Sequence, residues 1–355
     1  VLPIRGRRGP VTATGPVEAA RAAAALHEAG VAVTLERRAG ATTRVGAAAV
    51  AVEDLRTLLA ALGQQTAPRS PDVVLLLPAL VTPLATDALP AGHVRSDAVV
   101  LDRAQQVCRA ARNAGVGVTV DTDDRLPVDR ALGILRDLRK DFPETGVVVR
   151  AGLHRAEADC RGLAHEGSRV RLLRGGLPHR AHPTDGSAPG PGGRGGPADR
   201  THAAYRSGLE ADRSFVRCLR VLMAGQGTPE VDATDELLLR VTRALAGRHA
   251  RAAGSYELLV AGRDLARADA LAADGECVRA VLRWGRRASR PPETLAAALG
   301  RAVDGALGRA RVRALDLRDR AAELAERRPH GAHRSGGRAG PAGPADRPAD
   351  RRTRS

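Results

Sequence analysis

The chain has 355 residues, enough for one large α/β barrel or two ordinary domains. Its hydrophobic fraction of 43% supports a sizeable core, but aromatic residues are only 1%, so that core has to be built from Ala, Val and Leu. The formal charge of +16 comes almost wholly from arginine spread through every segment, Lys140 being the single lysine, and without stacking aromatics or a motif no nucleic-acid partner is expected.

In chain order, residues 1–30 read as a helical lead-in to the first apolar run, VAVTLE (31–36). An Ala-rich helical pattern over 49–62 leads to VVLLLPAL (73–80), and another over 101–113 leads to VGVTVD (116–121). Leu132, Leu135 and Leu138 then fall on one helical face, with Phe142-Pro143 as a stop. GVVVRAG (146–152), a helical pattern over 155–165 and RVRLLRG (169–175) follow. Residues 178–200 (PHRAHPTDGSAPGPGGRGGPADR) break the order, with the composition of a mobile insert. The helix expected over 207–224 buries Phe215, Leu219, Leu222 and Met223, and Gly225 and Gly227 end it. PEVDAT (229–234), a helix over 236–247, YELLVAG (256–262), a helix over 264–273 and VRAVLRWG (278–285) complete the alternation. The tail 329–355 reads as disordered and basic.

Near-continuous apolar strands argue for a parallel sheet covered on both faces, and eight β-then-α units are the count that closes a (βα)8 TIM-like barrel. The alternative, an open doubly wound sheet, lacks a G-x-G-x-x-G turn after its first strand. In a barrel the C-terminal strand ends converge on one rim. Glu36, Asp121, Arg150 and the pair Arg171 and Arg174 are the polar candidates there, each with a plainer reading as a helix cap or a basic strand edge.

Cys108, Cys160, Cys218 and Cys277 show neither CxxC pairing nor zinc spacing, so no metal is expected and a reducing cytoplasm fits. The opening VLPIRGRRGP lacks a signal-peptide core and no apolar run approaches about eighteen residues. A cytoplasmic chain, with peripheral contact at the inner membrane face left open, is the expectation.

The stretch VTVDTDDRLPVDRALGILRDLRKDFPETGVVVRAGLHRAEADCRGLAHEGSRVRLLRGG resembles the central barrel segment of the proline dehydrogenase family, monofunctional bacterial type. SFVRCLRVLMAGQGTPEVDATD, SYELLVAG and VRAVLRWG resemble its sixth helix and later strands. The resemblance implies oxidation of L-proline, or a related cyclic imino acid, to 1-pyrroline-5-carboxylate, with hydride passed to FAD and electrons to a membrane quinone. It implies Asp121 and Arg171 as catalytic residues, and cofactor contacts at Thr122, Arg150, Arg174, Gly175, Gly176, Ala233 and Thr234. Substrate contacts fall on Glu36, Leu76, Leu177, Val281, Arg327 and Arg328.

Several of these positions depart from the family pattern. Leu76 stands where the family has lysine, Arg150 where it has a flavin-contacting glutamine, and Leu177 and Val281 where it has tyrosines. The paired arginines that grip the substrate carboxylate have their nearest counterpart in Arg327 and Arg328 of ELAERRP. Two readings follow: a working flavoenzyme, or a catalytically impaired relative with a binding or regulatory role. The sequence leaves oligomeric state open.

Overall fold

The computed structural model describes residues 13–28, 30–38, 46–67, 69–81, 90–122, 126–175, 204–205, 207–262 and 264–285. The expected insert and the tail lie outside these residues. Eight parallel strands close into a ring in chain order: β1 Ala32–Arg37, β2 Asp72–Leu76, β3 Gly117–Asp121, β4 Gly146–Arg150, β5 Arg169–Leu173, β6 Thr228–Asp232, β7 Glu257–Ala261 and β8 Val278–Trp284. The helices are α1 Pro16–Glu28, α2 Ala47–Leu62, α3 Pro90–Asn113, α4 Val128–Asp141, α5 Ala156–Leu163, α6 Gly208–Ala224, α7 Glu236–Arg248 and α8 Leu265–Ala273. The expected (βα)8 barrel is the fold, and the open sheet is excluded because β1 pairs with both β2 and β8.

Alternation along each strand sends one set of side chains out to the helices. Leu35, Leu75, Val120, Leu172, Val231 and Leu282 are buried there. On α4 the apolar face runs through Val128, Ala131, Leu135 and Leu138, leaving Leu132 at its half-buried edge. Gly225 does end α6, but with φ of −79° rather than the left-handed cap a terminal glycine usually provides. Asp235 caps α7 by accepting from the amides of Leu237 and Leu238. The lead-in helix α1 packs on β1 and β8, covering the seam where the ring closes. Gly285 N donates to Ala13 O beside it (2.9 Å).

The inward set departs from the usual barrel filling of branched apolar layers. Following the strand register around the ring places Thr34, Thr119, Arg171 and Leu259 on one level. Below it lie Asp72, Gly146, Glu230 and Arg279, then Ala32, Gly117, Arg169 and Glu257. Arg171 donates from Nε to Glu230 Oε2 (2.7 Å) and from Nη2 to Asp72 Oδ2 (2.9 Å) and Thr34 Oγ1 (3.0 Å). Arg169 donates to Asp72 Oδ1 (2.7 Å) and to Val118 O (3.0 Å), and Arg279 pairs with Glu257.

Three acids and three arginines therefore replace most of the apolar plug, and their charges balance. Gly117 and Gly146 make the room. A Cβ on Gly117 would stand 3.0 Å from an Arg169 Nη atom, and one on Gly146 would stand 3.0 Å from Arg169 Nε. Burial acts to raise the Asp72 pKa, but Arg169, Arg171 and Arg279 outweigh it and hold the carboxyl down at about 2. Burial likewise opposes charge on Arg171, and Glu230 and Asp72 overcome it and raise its pKa.

Candidate functional site

Above the Arg171 level the inward positions are Val74, Val148, Asp232 and Val281, then Glu36, Asp121, Leu173 and Ala261, with Leu76, Arg150 and Arg283 at the lip. The mouth is thus an apolar floor ringed by charge. Arg150 closes β4 and its Nη2 donates to Asp121 Oδ2 at the end of β3 (2.5 Å). Asp121 Oδ1 accepts from Thr122 N (2.8 Å), and Thr122 Oγ1 donates to Leu126 O (2.9 Å). The Asp121 and Arg150 side chains are only 9% and 12% exposed, so this ion pair is largely shielded from water.

Burial raises the Asp121 pKa, Arg150 draws it back, and the Glu36 charge raises it further. Glu36 stands on the same level of the ring as Asp121. On the opposite side of the mouth Arg283 Nε donates to Glu36 Oε2 (2.9 Å). Arg283 has its pKa raised first by Glu36, with smaller contributions from Asp121 and Asp232. Asp232 Oδ1 accepts from Thr234 N (3.1 Å).

The structure brings together Glu36, Asp121, Thr122 and Arg150, with Leu76 and Val281 as half-buried apolar surface. Arg174 and Gly175 follow the end of β5, and Arg174 donates to Asp212 Oδ2 (3.0 Å). Ala233 is buried and Thr234 exposed just past β6. Arg171 is not part of this group: it is 3% exposed and lies two levels beneath Asp121. Gly176, Leu177, Arg327 and Arg328 fall outside the described residues.

Asp232 and Arg283 were missed in the sequence. The signal was there, since each shares strand parity with an inward neighbour two residues earlier, Glu230 and Val281. Among the described residues no group of His, Cys, Asp and Glu is arranged to hold a metal ion, and no helix is long and apolar enough to cross a membrane.

Fold and mouth define the class: a (βα)8 barrel with a charged, ion-paired C-terminal rim. No family model matches the chain. Proline dehydrogenase 1 of Bacillus subtilis (strain 168) is 29% identical over 80 residues, 22% of this chain and 26% of that protein. Proline dehydrogenase 1 of Bacillus subtilis subsp. natto is 22% identical over 191 residues, 54% of this chain and 57% of that protein.

Among solved structures, proline utilization A (PutA) from Bdellovibrio bacteriovorus inactivated by N-propargylglycine superposes with a TM-score of 0.62 at 16% identity. The match covers 78% of this chain and 30% of that one. A PutA variant from Bradyrhizobium japonicum gives 0.57 at 15% identity, covering 78% and 28%. At such identities the structures establish the fold, and the matched parts span less than two thirds of each relative. In sequence the chain is distantly similar to these proline dehydrogenases, and its fold is that of the PutA barrels.

Proposed function

We propose that the barrel mouth is the redox site of a flavin-dependent dehydrogenase acting on L-proline or a related cyclic imino acid. The observation that carries this reading is the shielded Asp121–Arg150 ion pair at the rim, on the strand ends where barrel enzymes place their chemistry. The donor set fits FAD: Arg150 Nε is buried without a hydrogen-bond partner among the described residues, and a flavin offers acceptor atoms along its ring edge. Among the described residues no atom lies within 4 Å of a notional Cβ on Gly175, beside the β5 end. Thr122, Arg150, Arg174, Gly175, Ala233 and Thr234 would hold the cofactor.

When bound, FAD supplies the two-electron acceptor for hydride from the carbon next to the imino nitrogen. The chain's own residues orient and shield. Leu76 and Val281 give the pyrrolidine ring apolar contact. The substrate nitrogen must lose its ammonium proton for the hydride to leave; Glu36 would set a carboxylate beside that nitrogen to take it, and Asp121 fixes Arg150. A quinone at the membrane surface is the electron acceptor we assign, with the chain in the cytoplasm. Residues 31–328 form the catalytic unit, with 178–200 inserted and 329–355 as a basic tail.

One observation favours a non-catalytic relative instead: at the described mouth Arg150, Arg174 and Arg283 are each already paired with a carboxylate, and Leu76 cannot donate to a substrate carboxylate. Dye-coupled oxidation separates the two. Proline-dependent dye reduction that disappears in Asp121→Ala supports the dehydrogenase, and FAD-loaded protein inert towards proline supports the binding role.

A further inference from the structure

The family resemblance puts the cation beside the flavin on Arg171, but the structure commits that side chain elsewhere. Its Nε and Nη2 donate to Glu230, Asp72 and Thr34, all on its own level or lower. Both carboxylates are fully buried, with side chains 0% exposed. Lifting Arg171 towards the mouth would leave Asp72 paired with Arg169 alone and strand Glu230, which is the costly way to break a buried ion pair. The level above it carries Val74, Val148 and Val281 beside Asp232, so three apolar side chains stand between this guanidinium and the Asp121 level.

Arg150 has the opposite disposition. It closes β4 at the lip, and one edge of its guanidinium is tied through Nη2 to Asp121 Oδ2. Thr122 N secures Asp121 in turn. Among the described residues the buried Arg150 Nε–H has no partner, a donor left over after the side chain has been pinned. A fixed cation with a spare donor is the device that stabilises negative charge arriving on a bound group, because it needs no reorganisation when the charge appears.

We infer that Arg150 is the residue that offsets negative charge developing on the electron acceptor at this mouth, and that Arg171 is a brace of the charged barrel interior with no direct part in redox chemistry. The inference rests on the flavin reading above and changes which residue performs the electrostatic work. It also gives a role to the arginine that replaces the family's glutamine. Asp121 becomes a positioning residue that acts through Arg150.

The test is the reduction midpoint of FAD bound to the full chain, measured by equilibration against redox dyes. Removing a charged hydrogen bond at Arg150→Gln should shift the two-electron equilibrium about tenfold towards oxidised flavin, about 30 mV. Arg150→Lys should recover part of that shift. Arg171→Met should lower thermal stability while leaving the midpoint in place. Should Arg171→Met fail to fold, Glu230→Gln, which alters the charge around Arg171 with little change in shape, should likewise leave the midpoint in place. A midpoint that moves in Arg171→Met or Glu230→Gln but not in Arg150→Gln overturns the assignment. Wild-type chain that retains no FAD overturns the flavin reading and this assignment with it.

Discussion

Replacing Arg171 with methionine tests the charged interior most sharply, because the change keeps the side chain long and removes only its charge and donors. In the wild-type structure Arg171 makes a 2.7 Å bond to Glu230 and a 2.9 Å bond to Asp72, and neither acid has access to water. Asp72 would keep Arg169 at 2.7 Å, but Glu230 would keep only a 3.6 Å approach from the same arginine. Removing one partner of a buried pair costs about 3–5 kcal/mol, so Arg171→Met should lose about 4 kcal/mol. At about 2–4 °C per kcal/mol for a domain of this size, the thermal midpoint should drop by about 8–16 °C. Urea unfolding followed by circular dichroism gives the free energy directly, provided the slope is unchanged. The double variant Arg171→Met/Glu230→Leu removes the stranded acid and should regain about 2 kcal/mol over the single variant. A loss under about 1 kcal/mol for Arg171→Met, or no recovery in the double variant, would refute the ionic interior.

The remaining predictions use the same logic on other residues. Gly146→Ala sets a Cβ 3.0 Å from both Arg169 Nε and Thr119 Oγ1 and should cost about 1–3 kcal/mol, whereas Gly133→Ala, in open space on α4, should add about 0.5–1 kcal/mol. Both are read from urea midpoints. His27 on α1 is 4% exposed with neither ring nitrogen partnered, and burial, with Arg279 nearby, lowers its pKa below 6.5. The unfolded chain therefore binds more protons, so stability should hold above about pH 6.5 and decline as pH falls below it. A His27→Leu variant should flatten that decline, and an unchanged profile would rule out His27 as its cause. Asp72, depressed from 3.8 to about 2, adds stability that is complete above pH 3.8 and lost as pH falls through about 2. Asp72→Asn should be destabilised at neutral pH and should show a shallower loss on acidification.

The fold was legible because every strand carries apolar residues on the parity that faces the helices, as Leu35, Leu75 and Val120 do, and each run is followed by helical periodicity. At the rim, Glu36, Asp121 and Arg150 were legible from their place at strand ends. Depth was not. Arg171 and Asp121 share the inward parity of their strands, and nothing in residue order says that they sit two levels apart. That separation follows from the tilt and stagger of a closed barrel, which the strand pairing alone reveals. The charged interior was hidden for a related reason: Asp72, Arg169, Glu257 and Arg279 lie at or near strand starts, where charge usually means a solvated loop end. Only closure of the ring turns those positions inward, and only Gly117 and Gly146 leave space for them.

The most direct measurement is the visible absorbance of the purified full chain after incubation with FAD and desalting, recorded without oxygen before and after adding proline. The account predicts that flavin stays with the protein and that proline, but not cyclopentanecarboxylate, bleaches it. Protein that emerges colourless, or flavin that stays oxidised in excess proline, would contradict it.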